Sequence, residues 1–526
     1  MTSSTTVRDS DAAPAAVPPL ARLPVGIVAA VVAAVHLVMG ALGRGHWFDE
    51  ALMLAIGRHH LDWGSADQPP VAPALAGLAD ALAPGVNGVL RIVPSLSTAG
   101  AVVVAALIAR ELGGDRRAQV LTALAQATGL WVTMFGHFVT PYSLEPLQWA
   151  LLLWLLVRWT RVRDDRLLLA VGPLLGLAAL TKFQVILLGA VLVVAIGVAG
   201  PRAMLRRPAF WWAAVVGALI ASPTLVWQAV HGWPQLRMTA VVAQESILFG
   251  GPGPNAVAML LLAGLLGTVL VVVGAVAAFT VPRLRPYRFV AVIFLLLWVV
   301  FAVTVGRAYY LCGLHGAVAA FGAVWFQQRR EAGRRRWSWV AWPAGVLSVA
   351  LATTMLSASV AAADPAVPEW IVTEVARVRD GLPPDRRDRA VVVGDSYIFA
   401  AYVDTADPAL GLPPGYSGNR SYGYFDPPPD DQGRGGPVDE EVVELDDRAG
   451  HARERDPAHR PRWLRGGSVR HVCSLRREAM SGTDRSIDTR TGEICITSYT
   501  RRAFRRTSVD RSSRCGRARP VLRWGR

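Results

Sequence analysis

The feature that most constrains this sequence is a series of apolar blocks, each about 17–25 residues long and nearly free of charge. A block of that length and composition crosses a bilayer as a helix. Only 18% of the residues are charged, whereas soluble domains carry about a quarter. The pattern predicts an all-α polytopic membrane protein with about eleven transmembrane helices and argues against an ordinary soluble enzyme. The predicted spans are 24–42, 87–109, 118–136, 144–160, 167–181, 184–200, 209–230, 255–281, 289–305, 311–326 and 337–360.

Basic residues predict how these spans are oriented. When residues 1–23 are placed in the cytoplasm, the inner segments hold 20 arginines and the short outer loops hold six basic residues. The positive-inside rule then places the amino terminus in the cytoplasm and everything after about residue 361 outside. We expect a multi-pass protein of the plasma membrane, surrounded by membrane lipids. The basic excess lies in cytoplasmic loops and in the tail, so it gives no support for nucleic-acid binding.

The chain beyond the transmembrane domain (24–360) divides into two parts. Residues 361–430 contain RAVVVGDSY, typical of a buried strand followed by a helix, and then a turn-rich stretch. They predict a small extracytoplasmic α/β module. Residues 431–526 hold 22 arginines against 14 acids, and only 15 of the 96 are Leu, Ile, Val or Phe. One interpretation is a basic arm that binds anionic lipid or polymer. The other is a tail that is disordered or translated out of frame, and the composition favours this second interpretation.

The first outer loop, residues 43–86, carries the densest cluster of polar residues. Asp49 and Glu50 follow two aromatic residues and open a segment whose apolar residues suit a helix in the membrane interface. The turn Asp67-Gln68-Pro69-Pro70 ends that helix, and a second amphipathic helix is predicted over 71–82. Two such helices around a polar turn would cover a cleft at the membrane surface. From the residues alone, two interpretations of Asp49 stay open. It is a functional acid, acting as a general base or a metal ligand, or it is a solvated loop acid that caps the helix.

Several cations lie at predicted outer ends of spans, where a phosphate is a natural partner. Lys182 is the only lysine in the chain, beside 53 arginines. Arg307 is close to Tyr309 and Tyr310, and Arg58 follows Glu50 by two helical turns. The alternatives are a snorkelling lysine and a tyrosine belt at the membrane interface.

One further acid and a set of histidines lie near the same face. Glu145 is at the outer mouth of the fourth span. His59, His60, His137 and His231 have no zinc-type spacing supported by a carboxylate, so polar packing or acceptor contacts are the favoured interpretation.

The segment FDEALMLAIGRHHLDWG…DQPP resembles the first outer loop of the GT-C polyprenyl-phosphate-sugar transferases of glycosyltransferase family 39. These are proteins similar to protein O-mannosyltransferases and to lipid A aminoarabinose transferases. Further patterns of the family follow in the same order, and the resemblance covers about residues 24–425. They are TPYSLEPLQWALLLWLLVR (140–158), LAALTKFQ (177–184), LVWQAVHGWPQL (225–236), GRAYYLCG (306–313) and ALGLPPGYSG (409–418).

The resemblance implies a GT-C fold and an inverting transfer of a sugar from a polyprenyl-phosphate donor to an extracytoplasmic hydroxyl. Asp49 matches the proposed catalytic base, with Glu50 in support. Glu145 matches a second acid, which either positions the acceptor or shares a divalent cation with Asp49. The acceptor is a protein, a wall polymer or a lipid.

The resemblance points to one position for the donor phosphate, and the other expected contacts follow from where the residues themselves lie. Some relatives carry lysine where this chain has Gln68, so phosphate binding would depend on other residues. The expected set is Arg58, Lys182, Arg307, Tyr309 and Tyr310, while Asp67, Gln68 and His231 are expected to contact the acceptor or the loop.

Two other classes of function stay open at this point. A polytopic transporter or lipid-handling permease would place ionisable residues in the middle of its spans, whereas the acids here concentrate at one face. A catalytically inactive scaffold with the GT-C fold would be compatible with Gln68 and with the unusual tail.

Overall fold

The computed structural model describes residues 17–428, apart from 247–250, 335–338, 388–389 and 395. The two interpretations of residues 431–526 therefore fall outside the described residues.

Helices dominate the described part of the chain. Their bounds are α1 (Arg22–Leu42), α2 (Phe48–His59), α3 (Val71–Leu82), α4 (Asn87–Leu90), α5 (Ile92–Glu111), α6 (Arg116–Ala127), α7 (Leu130–Phe135), α8 (Pro141–Val162), α9 (Asp165–Thr181), α10 (Gln184–Ala199), α11 (Pro208–Val230), α12 (Pro234–Ser246), α13 (Pro252–Leu261), α14 (Gly264–Thr280), α15 (Phe289–Val303), α16 (Cys312–Glu331), α17 (Ala341–Ala362), α18 (Ala366–Asp380), α19 (Pro384–Arg387) and α20 (Tyr397–Asp404). Each predicted span coincides with one helix or with an interrupted pair, so the prediction of an all-α membrane domain is confirmed.

Not every predicted span is one continuous helix. The block 118–136 contains α6 and α7, and the block 255–281 contains α13 and α14, which meet at a bend of 101°. Gly264 begins α14 with a φ of 76°, a left-handed conformation that interrupts the helix and that glycine adopts without a steric penalty. Five described helices are long and apolar enough to cross a membrane, or six if the bent pair is one span. The chain is a multi-pass membrane protein, and the count of eleven spans stays a prediction.

The transmembrane helices pack closely where small residues face one another. Helices α14 and α16 meet at Gly274 and Gly322, where an added Cβ would collide with the backbone of the opposite helix. In membranes, helix association depends on such close packing, since lipid is as apolar as the side chains it would replace.

The two helices predicted in the first loop are present as α2 and α3, and α3 has the predicted bounds. They cross at Gly57 and Gly77, where each glycine approaches the backbone of the other helix. The turn from Asp67 to Pro70 lies between them, as predicted.

A small α/β module follows the transmembrane helices, as the sequence pattern predicts. Strand β1 (Val392–Gly394) pairs in parallel with β2 (Gly415–Ser417), and α20 lies in the connection between them. Ala400 and Ala401 of α20 are fully buried in one hydrophobic cluster with residues 51–56 of α2. The module is therefore held directly on the helix that begins with Asp49.

Candidate active site

Asp49 lies in the first turn of α2, and its side chain faces the α/β module. Its Oδ1 accepts a hydrogen bond of 3.0 Å from the hydroxyl of Tyr397, the first residue of α20. Burial raises the pKa of the Asp49 carboxyl above its ordinary value, although the Arg420 guanidinium, the Tyr397 hydrogen bond and the Lys182 ammonium each lower it. A carboxylate with a raised pKa is a better proton acceptor than an ordinary aspartate.

Glu50, the next residue, has a different environment and points into the protein. Its side chain is fully buried against Arg91, which donates from Nη2 to Oε2 over 2.5 Å and from Nε to Oε1 over 3.0 Å. The backbone N–H of Val139 also donates to Oε1, at 3.1 Å. Although burial acts to raise the pKa of Glu50, Arg91 and His46 together hold it at about 2. Glu50 is therefore an ionised anchor for α2 whose oxygens already have partners.

Arg91 extends this anchor to the end of α1. It is fully buried, and its guanidinium donates to the backbone carbonyls of Gly40, Gly43 and Gly45 over 2.8–2.9 Å. One arginine thus joins the last turn of α1, the following loop and the start of α2, which is the segment that carries Asp49.

The structure brings Lys182 together with Asp67 and Gln68. Lys182 directly follows α9 and is 3% exposed, and its Nζ donates to the backbone oxygen of Asp67 at 2.8 Å. The same Nζ lies 3.3 Å from Asp67 Oδ2 and 3.5 Å from Gln68 Oε1. Burial raises the pKa of the Asp67 carboxyl, but Lys182 and Arg420 outweigh it, so the net pKa is lowered. The lysine therefore holds the turn between α2 and α3 beside Asp49.

Two arginines converge on Glu245 of α12. Arg307, which precedes α16, donates to Glu245 Oε2 through Nη2, and Arg420 of the module donates to the same oxygen over 2.6 Å. The Arg420 guanidinium also lies 5.0 Å from the centre of the Tyr397 ring, and its charge acts on both Asp49 and Asp67. These contacts join Arg307 and Arg420 to the cluster of side chains around Asp49.

Tyr309 and Tyr310 form an aromatic wall with residues of α7 and α8. Tyr309 stacks on Trp131 with ring centres 3.9 Å apart and meets Tyr142 at 4.5 Å. Tyr142 in turn lies under Lys182, whose Nζ is 5.2 Å from its ring centre. The predicted tyrosines therefore lie next to the predicted lysine.

Glu145, in α8, is 6% exposed, and its Oε1 has no hydrogen-bond partner among the described residues. It is close enough to Lys182 for their charges to interact. The predicted alternative of a divalent cation needs further ligands besides Asp49 and Glu145. In the described part of the chain no three His, Cys, Asp or Glu side chains group as a metal site.

Two of the predicted residues have other partners. Arg58 donates to both carboxylate oxygens of Asp80 at 2.7 Å and to the Thr405 carbonyl at 3.3 Å. His231 stacks on Trp227 with ring centres 3.9 Å apart. The structure thus does not join Arg58 to the cluster around Lys182, and its role as a phosphate ligand stays a prediction.

A protein family and a solved structure are similar to this chain. The family model described as dolichyl-phosphate-mannose-protein mannosyltransferase matches residues 67–227. ArnT from Cupriavidus metallidurans, solved with undecaprenyl phosphate, has a TM-score of 0.53 at 16% identity, over 75% of this chain and 90% of that one. The chain has the GT-C glycosyltransferase fold.

Two further solved structures are similar to the chain. The apo form of the same ArnT has a TM-score of 0.52 at 16% identity and covers 75% of this chain and 85% of that one. The oligosaccharyltransferase AglB from Archaeoglobus fulgidus, in complex with an inhibitory peptide and a dolichol-phosphate, has a TM-score of 0.48 at 12% identity, over 72% of this chain and 63% of that one. No curated protein sequence matches the chain significantly.

The family match includes only some of the site residues described above. It includes Asp67, Glu145 and Lys182, but Asp49 lies before it and Tyr397 after it. Sequence reasoning did not identify Tyr397, Arg420, Arg91 or Glu245 as site residues. The available signals were a tyrosine three residues after the predicted strand of the module and an arginine in the turn-rich stretch that follows it.

Proposed function

We propose that this GT-C protein transfers a sugar from a polyprenyl-phosphate donor to a hydroxyl group on the extracytoplasmic side, with inversion at the anomeric carbon. The observation that carries the proposal is one cluster of side chains in which Asp49, bound to the Tyr397 hydroxyl, lies close enough to the cations Lys182 and Arg420 for their charges to act on it. A transferase of this kind needs both a proton acceptor and positive charge. The undecaprenyl phosphate bound to the structurally similar ArnT supports a lipid phosphate as the carrier.

In the proposed reaction Asp49 removes the proton from the acceptor hydroxyl. That oxygen forms a bond to the anomeric carbon on the face opposite the phosphate. The bond from the anomeric carbon to the phosphate oxygen breaks, and its electron pair leaves with the polyprenyl phosphate. The transition state resembles an oxocarbenium ion, as in other glycosyl transfers.

The leaving phosphate needs compensation because it changes from a diester with one negative charge to a monoester that gains a second. Fixed cations stabilise charge that develops in a transition state more than water does, since they need no reorganisation. Lys182 and Arg307 are the proposed groups, with Tyr309 and Tyr310 beside them. Arg58 is left out because the structure does not join it to the cluster around Lys182: its Nε and Nη2 bind Asp80 and its Nη1 binds the Thr405 carbonyl.

Glu145 is proposed to position a hydroxyl of the substrate. Its Oε1 has no partner among the described residues, and a buried acceptor of this kind gains most from a donor that a ligand supplies. A divalent cation on Asp49 and Glu145 stays an alternative, and no step of the reaction is assigned to it.

The test of the proposed function uses membranes that contain the protein and a labelled polyprenyl-phosphate sugar. We expect the label to move to an acceptor on the extracytoplasmic side with inverted anomeric configuration, determined by NMR of the product. Mass spectrometry of envelope glycans and glycoproteins with and without the gene then identifies a protein, wall-polymer or lipid acceptor. Retention of configuration would contradict the mechanism. Transport of the intact donor would favour the permease, and binding without turnover the inactive scaffold.

Removal of the Tyr397 hydroxyl tests the environment of Asp49. The hydrogen bond from Tyr397 lowers the pKa of Asp49, so Tyr397→Phe is expected to raise that pKa further. Since the base must be deprotonated, the acid limb of the kcat/KM profile should move to higher pH. Activity should fall about fivefold on the acid side and approach the wild-type value at high pH.

Tyr402→Phe is the matched control, because the Tyr402 hydroxyl, also on α20, donates to the backbone oxygen of His46 rather than to Asp49. A Tyr397→Phe profile parallel to the wild-type profile at every pH would show that the hydrogen bond does not act on the base.

A further inference from the structure

Glu245 has an unusual position, because two guanidinium groups from distant parts of the chain bind one of its oxygens. Arg307 comes from the segment before α16 and Arg420 from the α/β module, and both donate to Oε2. The two arginine side chains are 17% and 15% exposed, while that of Glu245 is 34% exposed. The acid is thus the member of the trio that faces solvent most.

The trio by itself carries one net positive charge, and Arg420 is also acted on by the nearby Asp49 and Asp67. Two guanidinium groups carry two positive charges, and Glu245 supplies one negative charge. A guanidinium fork matches phosphate oxygens as well as it matches a carboxylate. A lipid phosphate in the position of the Glu245 carboxylate would satisfy the same donors.

The location of the trio is compatible with the replacement of the Glu245 carboxylate by a lipid phosphate. Arg420 lies against the ring of Tyr397, and the Tyr397 hydroxyl contacts Asp49. A phosphate held by Arg420 would therefore lie one side chain away from the proposed base. The first part of α12 is held separately, since the N–H of Gln235 donates to Gln228 Oε1 at 3.0 Å. Release of Glu245 therefore leaves that end of α12 attached.

We propose that Arg307 and Arg420 together bind the lipid phosphate and that Glu245 occupies their binding position until the phosphate displaces it. The ligand class rests on the proposed function, whereas the exchange rests on the geometry of the trio. The inference gives the C-terminal module a direct part in donor recognition through Arg420. It also makes Glu245 a built-in competitor that lowers the apparent affinity for the lipid.

The experiment measures the binding of undecaprenyl phosphate to the purified full-length protein in detergent. We expect Glu245→Gln to bind about fivefold more tightly than wild type, because the competing charge is gone. Arg420→Gln should bind about tenfold more weakly, and Arg420→Lys should lie between Arg420→Gln and wild type, since lysine keeps the charge but loses the fork.

Glu374→Gln is the matched control, because Glu374 pairs with Arg377 in the same module, and it should bind like wild type. Thermal unfolding of each variant checks that the fold is kept. Equal affinities for Glu245→Gln and wild type, or weaker binding by Glu245→Gln, would overturn the proposal. So would an unchanged affinity in well-folded Arg420→Gln.

The same experiment separates this inference from the proposed function. Undecaprenyl phosphate carries no sugar, so its binding does not depend on turnover. The expected affinities without any sugar transfer would support the exchange at Glu245 and refute the transferase. Sugar transfer with an affinity insensitive to Glu245→Gln would support the transferase and refute the exchange.

Discussion

Asp49→Asn is expected to lower kcat for sugar transfer by about 10²–10⁴-fold, the usual contribution of a general base. Asparagine has almost the same shape, and its amide oxygen can still accept the hydrogen bond from Tyr397. It cannot take a proton from the acceptor hydroxyl at neutral pH. The affinity for the donor should change little, because the proposed phosphate ligands are other residues. Initial rates and binding of undecaprenyl phosphate, measured on the same preparation, separate the two effects.

Asp380→Asn is the control for this variant, since it is the same substitution at a side chain that is 57% exposed on α18. It should keep full activity. A well-folded Asp49→Asn protein with the wild-type rate would refute the proposed role of Asp49. Glu145, the other buried acid near Lys182, would then be the next residue to test.

Arg91→Met is expected to destabilise the protein by about 3–5 kcal/mol, the largest effect on stability that we predict. The substitution leaves the fully buried Glu50 carboxylate without its cation. It also removes the donor from three backbone carbonyls at the end of α1 and in the following loop. Thermal or denaturant unfolding in detergent measures the change. Activity should fall as well, because Glu50 lies next to Asp49 on the same turn of α2.

Two further variants test whether the destabilisation by Arg91→Met comes from the loss of the buried ion pair. The double variant with Glu50→Met should be more stable than Arg91→Met alone, since no buried charge is left unpaired. Arg377→Met removes an arginine that is 61% exposed and should change stability by less than about 1 kcal/mol. If Arg91→Met were as mild as Arg377→Met, the buried pair would not anchor α2.

The Glu50 pair also predicts how stability depends on pH. The pKa of Glu50 is lowered from 4.5 to about 2 in the folded protein. A lowered carboxylate pKa stabilises the folded state above the unfolded pKa, and this contribution is lost as the pH falls from about 4.5 towards 2. Arg91→Met should lack this part of the acid dependence.

Much of the architecture could be predicted because the relevant signals are local. Apolar length predicts the membrane helices, and the polar turn before residue 71 predicts where α3 begins. The RAVVVGDSY pattern predicts a strand and a helix, which are present as β1 and α20. The bend at Gly264 was missed because one glycine within a long apolar run does not interrupt the hydropathy pattern.

The pairings in the site had no local signal. Asp49 and Tyr397 are separated by 348 positions, and Arg420 and Glu245 by 175. Glu50 was predicted to support Asp49 at the reaction centre, yet it points away from that centre and binds Arg91. Adjacent residues of a helix project about 100° apart, so an Asp-Glu pair cannot direct both acids to one place.

The amino-acid sequence by itself determined that the chain enters a membrane and that two helices around a polar turn follow α1. The transfer of apolar side chains into lipid and the internal pairing of backbone groups depend on each segment alone. Only the tertiary structure decided which charges meet: Glu50 with Arg91, Lys182 with Asp67, and Glu245 with two arginines. Those ion pairs form between residues that are far apart in the sequence and that only the packing of the helices brings together. A buried charge is stable only where the fold places a partner of opposite charge beside it.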